Sequence, residues 1–334
     1  MKSIQKQPLL EVRDLKTHFF TDGGAVPAVD GVSFSLDRGK TIGIVGESGC
    51  GKTVMSLSIM RLIASPGRIT AGQILFDGKD LANLSNSEMC KIRGNEIAMI
   101  FQEPMSSLNP VHRAGAQVTE AVRLHQGLDR ASARQKALEM FEMVNIPEAE
   151  RRLDAFPHQL SGGLRQRVMI AMALSCQPKL LIADEPSTAL DVTVQAQILK
   201  LLMELQKQNQ MAIMLITHDL GVVAEMADDV CVMYTGKVVE YGDVWRVFER
   251  PLHPYTNGLY RSLPLLTDEE RKRLYAIRGV VPNLLKMPAG CAFAPRCDQA
   301  KAICHREPPP LVEVEPGHSV RCWCYAEEGQ VQAI

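Results

Sequence analysis

Gly46-Glu47-Ser48-Gly49-Cys50-Gly51-Lys52-Thr53 lies between the short apolar run Thr41 to Val45 and the segment Val54 to Ile63, whose apolar residues recur at helical spacing. A strand, a glycine-rich loop and a helix in that order form a cradle for nucleotide phosphate. Glycines at 46, 49 and 51 permit positive φ and close backbone approach, so successive N–H groups can face an anion together with the helix N-terminus. Lys52 would reach the β- and γ-phosphates, and the Thr53 hydroxyl is placed to ligate magnesium. A chance glycine turn is the bland alternative, and it leaves the flanking strand and helix patterns unexplained.

The chain has 334 residues, of which 46% are hydrophobic and 22% charged, enough for a sizeable core and more than one domain. A formal net charge of -1, with no Lys/Arg block interleaved with aromatics, argues against a nucleic-acid partner. The longest apolar runs, such as Val168 to Leu174 and Ala212 to Ile216, fall short of the roughly 18 residues that span a bilayer. Met1 to Leu15 has no apolar signal core, so a reducing cytoplasmic setting is expected. Nine cysteines are placed unevenly: Cys50, Cys90, Cys176 and Cys231 are scattered, whereas Cys291, Cys297, Cys304, Cys322 and Cys324 crowd the tail.

Leu10-Glu11-Val12 and Val32 to Leu36 alternate apolar and polar about the turn Asp22-Gly23-Gly24, predicting antiparallel strands ahead of the loop. Further strands are expected at Gln73 to Phe76 and Ile97 to Phe101, the latter running into Gln102-Glu103-Pro104. A helical insertion is expected from about 104 to 165, with Ala137, Leu138, Phe141 and Val144 on one face. Apolar strands at Lys179 to Ala183 and Ala212 to Ile216, separated by an amphipathic helix at Val194 to Leu205, predict a parallel sheet covered on both faces. Prolines multiply after Arg250 and periodicity fades, which sets a domain boundary near 250.

Asp184 and Glu185 follow the strand Leu180 to Ala183, at the carboxyl edge where α/β sheets bind ligands. Asp184 would orient the magnesium shell, and Glu185 would polarise a water for in-line attack on the γ-phosphate. Ser161-Gly162-Gly163, just before a helix expected at Gln166 to Ser175, forms a second helix start able to face an anion. An ordinary Ser-Gly-Gly cap is the competing reading there.

Taken together, these motifs resemble the ATPase subunit of ABC transporters over about residues 9 to 250. Gly46 to Thr53 resembles its Walker A loop, Gln102 its Q-loop glutamine, and Leu160 to Arg167 its signature motif. Leu180 to Glu185 resembles Walker B with the catalytic glutamate, Ser187 to Asp191 the D-loop, and His218 the switch histidine. The resemblance implies a P-loop NTPase core of the RecA-like α/β class with an antiparallel β subdomain and a helical subdomain. It also implies ATP and Mg2+ as ligands, with Gln102 sensing the metal and His218 contacting the γ-phosphate. An aromatic near the N-terminus would stack on adenine; Phe19 or Phe20 would fit, and Phe19 is our choice. In this family Ser161 to Gly163 caps ATP held on the opposite subunit, which implies a second ATPase subunit, expected as a heterodimer partner. Cys50 stands where the resemblance usually has serine. A thiol beside a lysine and a helix N-terminus would have a lowered pKa and be open to oxidation; an inert small residue is the favoured alternative.

Arg250-Pro251-Leu252-His253-Pro254-Tyr255-Thr256, with Leu259 and Leu263-Pro264, resembles the segment after the ATPase core in dipeptide and oligopeptide importers and their nickel-importing relatives. The resemblance implies a C-terminal extension, 251 to 334, in which Cys291, Cys297, Cys304 and Cys322 hold a [4Fe-4S] cluster. Their spacings lack the close C-x2-C pairing of structural zinc, and zinc and free thiols are the alternatives. Cys324 leaves the fourth ligand open, with Cys322 favoured because it ends the matching spacing.

The leading reading is therefore an ATPase subunit of an ABC importer for di- or oligopeptides. It would lie peripherally on the cytoplasmic face of the membrane, with two integral membrane permease subunits and, indirectly, an extracytoplasmic substrate-binding protein. Nickel import is the close rival. A soluble relative acting on nucleic acid or ribosomes, and a redox-sensing tail, are the alternatives of other classes. The missing basic patch counts against the former.

Overall fold

The computed structural model describes residues 7–102, 107–186, 192–262 and 275–326. The chain divides into two compact units. One comprises Met1–Leu9, Leu36–Thr41 and Asn83–Ile216; the other comprises Leu10–Ser35, Ile42–Ala82 and Thr217–Ile334. The boundary expected near 250 falls inside the second unit.

In the first unit, β6 (Ile97–Ile100), β7 (Leu180–Asp184) and β8 (Ala212–Ile216) run parallel, with Ile97 opposite Leu180 and Leu180 opposite Ala212. Every residue of β7 and β8 is buried, as continuous apolar strands under helices require. The connection from β6 to β7 contains the helices Ala114–Gln126, Arg130–Met143, Ala149–Leu153 and Gly162–Leu174. Asp129 caps Arg130–Met143 by accepting from the Ser132 N–H at 2.8 Å, and the helix buries Ala133, Ala137, Met140 and Phe141. Leu138, expected on that face, is half-buried. The helix stops because Asn145 turns to φ 56°, letting the Ile146 N–H reach the Phe141 carbonyl at 2.9 Å.

In the second unit, β1 (Leu10–Thr21), β2 (Gly24–Leu36), β4 (Gly67–Phe76) and β5 (Lys79–Asp80) form a sheet of order β2-β1-β4-β5. β1 and β4 are antiparallel, with Leu10 opposite Phe76. A second array starts from β3 (Thr41–Val45), which pairs in parallel with β9 (Asp229–Tyr234), Ile42 opposite Asp229. β10 (Lys237–Asp243) returns antiparallel to β9 through Thr235-Gly236, both at positive φ, which matches the twist of a tight hairpin. β12 (His318–Val320) pairs with β10, and β11 (Val312–Glu315) with β12. The tail was expected to be irregular, yet this hairpin extends a sheet. Alternation is confined to three or four residues, too few for a period-2 signal to stand out.

The helix after the glycine loop runs Lys52–Ile59, shorter than the expected reach to Ile63. Arg61 takes φ 52° and the Leu62 N–H donates to the Leu57 carbonyl at 2.8 Å, closing the last turn.

Candidate nucleotide site

The loop Gly46 to Thr53 follows the wholly buried β3, and Gly51 at φ 103° is the N-cap of helix Lys52–Ile59. Two glycines are dictated by their surroundings. A Cβ on Gly46 would stand 2.3 Å from the Met233 carbonyl oxygen, and one on Gly51 would stand 2.3 Å from that of Ala28. Lys52 is buried and donates through Nζ to the carbonyls of Gly46 at 2.7 Å and Glu47 at 3.1 Å, so its ammonium lies within the loop's own curve. Thr53, on the first turn, is exposed.

At Cys50 the structure favours the inert reading over the reactive one. Its thiol is buried, and burial raises its pKa against the lowering pull of Lys52, whose Nζ lies 3.7 Å from the sulfur. Desolvation of the thiolate outweighs one nearby cation, so the inert reading holds and the oxidation-prone one does not.

His218 is exposed two residues past β8, where Asp219 begins the helix Leu220–Met226 by accepting from the N–H groups of Gly221 and Val222. Phe19 is half-buried on β1 opposite Gly67, whereas Phe20 is exposed with the Arg68 guanidinium 4.2 Å from its ring centroid.

In the first unit, Asp184 ends β7 and is buried, and Glu185 follows with a left-handed backbone at φ 48°. Its N–H donates to the Ile216 carbonyl at 2.8 Å, which holds that rare conformation. Gln102 Nε2 donates to Glu185 Oε2 at 3.0 Å, so two of the residues singled out in the sequence meet. Ser161 caps the helix Gly162–Leu174 by accepting from the Leu164 N–H at 3.3 Å. That helix starts four residues earlier than expected. Gly162 and Gly163 thus form its first turn, where N–H groups have no intrahelical partner and remain available to an anion. Ser187 to Asp191, the expected D-loop, lie outside the described residues, as do Leu263 and Pro264.

Cys291, Cys297, Cys304, Cys322 and Cys324 all line one small cavity in the second unit, together with His253, Phe293 and Trp323. Burial raises the pKa values of Cys291 and Cys297, and that of Cys322 to about 12. Among the described residues, no three His, Cys, Asp or Glu side chains already stand at metal-binding spacing.

Comparison with known proteins decides the family. Residues 29–188 match the ABC transporter family model, and residues 239–304 match that of the oligopeptide/dipeptide transporter C-terminal region. The oligopeptide transport ATP-binding protein AppD of Bacillus subtilis is 53% identical over 97% of this chain and 99% of its own length. The dipeptide transport ATP-binding protein DppD of Escherichia coli is 50% identical over 94% of this chain and 96% of its own. This chain is an ABC transporter ATP-binding subunit of the oligopeptide/dipeptide group. Among solved structures, the dimeric post-hydrolysis state of the ATP-binding cassette MJ0796 bound to ADP and Pi is similar, with a TM-score of 0.64 and 27% identity over 70% of this chain and 98% of that one. A structure of cbiO1 from Clostridium perfringens matches with a TM-score of 0.62 and 29% identity, over 73% of this chain and 92% of that one.

The ABC subunit is thus an ATPase with the mixed α/β cassette fold, and ATP and Mg2+ are its expected ligands. Among its described residues, no helix is long and apolar enough to cross a membrane. Sequence reasoning missed two residues at the loop. The Glu47 N–H donates to the Tyr255 hydroxyl at 2.7 Å, and Arg296 grips the Glu47 carboxylate. Tyr255 was singled out only as part of the segment after the ATPase core, and Arg296 stands before Cys297, so the available signal pointed elsewhere.

Proposed function

We propose that this subunit hydrolyses ATP to drive the import of di- or oligopeptides through two integral membrane permease subunits, from the cytoplasmic face of the membrane. The carrying observation is that relatives named for oligopeptide and dipeptide transport align over nearly the whole chain, the C-terminal region included. No comparable observation favours nickel. Loop residues Gly46 to Thr53 hold the phosphates through backbone N–H groups and Lys52. Glu185, held in place by the hydrogen bond from Gln102, takes the proton of the attacking water. His218 meets the γ-phosphate, and Phe19 stacks on adenine. Magnesium, when bound, neutralises developing phosphate charge. Thr53, Gln102 and Asp184 supply the hydroxyl, amide and carboxylate oxygens that such a hard cation takes.

Ser161 to Gly163 serve ATP held by a second ATPase subunit, a heterodimer partner, in keeping with a helix start whose first-turn donors include two glycines. We assign a [4Fe-4S] cluster to the tail cysteines, with Cys291, Cys297, Cys304 and Cys322 as ligands; the support is their thiol chemistry and the one cavity they line, although they do not already stand at metal-binding spacing. Cluster binding would deprotonate the buried thiols and draw them together, tying the extension's loops to one centre. Co-purification with the permease subunits, followed by assay of which ligands stimulate ATP hydrolysis through the external binding protein, tests the transport reading. Stimulation by peptides is expected; stimulation by nickel alone would overturn it. An anaerobic preparation with broad absorption near roughly 400 nm and about four iron per chain is expected for the cluster. Stoichiometric zinc in a colourless protein would remove it.

A further inference from the structure

Two residues of the C-terminal extension bond the phosphate loop at Glu47, from two directions. Arg296, in the short turn Ala294–Arg296, donates Nη1 to Glu47 Oε2 at 2.6 Å and Nη2 to Oε1 at 2.9 Å. Its side chain is 4% exposed against 28% for Glu47, so the pair is shielded from water on the arginine side. Arg296 Nε donates to the Arg278 carbonyl at 2.9 Å and Nη1 also reaches the Tyr234 hydroxyl at 3.3 Å, which fixes the plane of the fork. From the other direction the Tyr255 hydroxyl accepts the Glu47 N–H. Tyr255 is fully buried, with ring centroids 4.7 Å from Tyr234 and 5.5 Å from Phe293. The Glu47 carbonyl in turn accepts from Lys52 Nζ. Backbone N–H, carboxylate and carbonyl of one loop residue are thereby all assigned, the first two by residues more than 200 positions away.

Two physical consequences follow. A forked ion pair holds its carboxylate in one orientation, and through it the loop segment that carries Lys52's acceptor. It also neutralises an acid that otherwise stands within a loop whose ligand is a polyanion. We propose that Arg296 is a positioning residue for nucleotide binding, fixing and neutralising Glu47 so that the phosphate loop is preset for ATP. This rests on the reading of Gly46 to Thr53 as the ATP phosphate site.

The two consequences together predict an asymmetry that a stability role alone does not produce. Arg296→Gln leaves an unpaired carboxylate facing the phosphates, whereas Glu47→Gln removes the acid itself. Fluorescent Mg-ATP analogue titrations on the full-length protein, with thermal unfolding followed in parallel, test this. Arg296→Gln is expected to weaken nucleotide binding about tenfold, Glu47→Gln about threefold or less, and the double variant to match Glu47→Gln rather than the product of the singles. Arg296→Lys, which keeps the charge and loses the fork, is expected to fold as the wild type and bind with an intermediate loss of roughly threefold. Wild-type affinity in both Arg296 variants, or a double variant showing the product of the two single losses, overturns the proposal. Lys52→Ala separates the underlying reading: it is expected to abolish binding. Wild-type affinity in Lys52→Ala would show that the loop is not the phosphate site and overturn the role of Arg296 with it.

Discussion

Gln102 donates its amide Nε2 to Oε2 of Glu185 at 3.0 Å, so the residue that ends one strand's run-off is tied to the acid that follows another. The contact fixes one carboxylate oxygen of Glu185 against the amide. It also makes the ionisation of Glu185 sensitive to whatever stands at position 102.

Glu185→Gln is expected to retain ATP binding and lower turnover at least about 100-fold, the usual size of a lost general base. Gln102→Glu sharpens the test. A second carboxylate within about 3 Å favours the protonated form of Glu185 and raises its pKa. The base is then ionised only at higher pH, so the acid limb of the rate profile shifts upward. ATPase assays of the assembled transporter across pH check both; undiminished turnover in Glu185→Gln would remove it from the role of base.

Gly46, Gly49 and Gly51 are expected to differ sharply on substitution by alanine. A Cβ at Gly46 or Gly51 would meet a carbonyl oxygen at 2.3 Å, whereas one at Gly49 meets nothing within 4 Å and carries only the strain of φ 79°. Gly49→Ala should cost about 1 kcal/mol, and the other two several times more, with loss of ATP binding. Thermal unfolding with and without Mg-ATP measures both.

Glu240 carries a heavy structural burden at the start of the extension. It is fully buried, accepts the N–H groups of Leu252 and His253 at 2.8 and 2.9 Å, and pairs with His318 Nε2 at 2.9 Å. Glu240→Ala strands three donors without water, and a loss of roughly 3–5 kcal/mol is expected. Limited proteolysis should then cleave first beyond Arg250; an unchanged cleavage pattern and melting temperature would contradict the assignment.

Cys50 should be among the last thiols to react with iodoacetamide under native conditions and Cys90, which is exposed, among the first. Because burial raises the Cys50 pKa above the ordinary value of 9.0, its thiolate fraction grows through that pH and beyond rather than saturating near neutrality. Mass-spectrometric labelling at several pH values reads this directly, and fast labelling at pH 7 would contradict it.

Much of the candidate nucleotide site was legible because its residues are written in local order. Gly46 to Thr53 lies on one turn between a strand and a helix, and Asp184 and Glu185 end a wholly apolar run, so spacing alone placed these groups at strand ends. The tail cysteines were equally visible as a cluster in sequence, and they share a cavity in the fold. The early start of the helix at Gly162 was missed because glycine's poor helix propensity hides a first turn that has no intrahelical bonds to lose.

By itself the sequence determined which groups stand as candidates to meet a phosphate: the loop glycines, Lys52, Thr53, Asp184 at the end of β7 and Glu185 just past it. Local backbone geometry and hydrophobic period encode those over a few residues. Only the tertiary structure decided that Cys50 is shut away from water, that Glu240 meets His318 from 78 positions away, and that Arg296 closes on Glu47 from 249 positions away. Such partners are chosen by how sheets and loops pack, and that choice leaves no periodic trace along the chain.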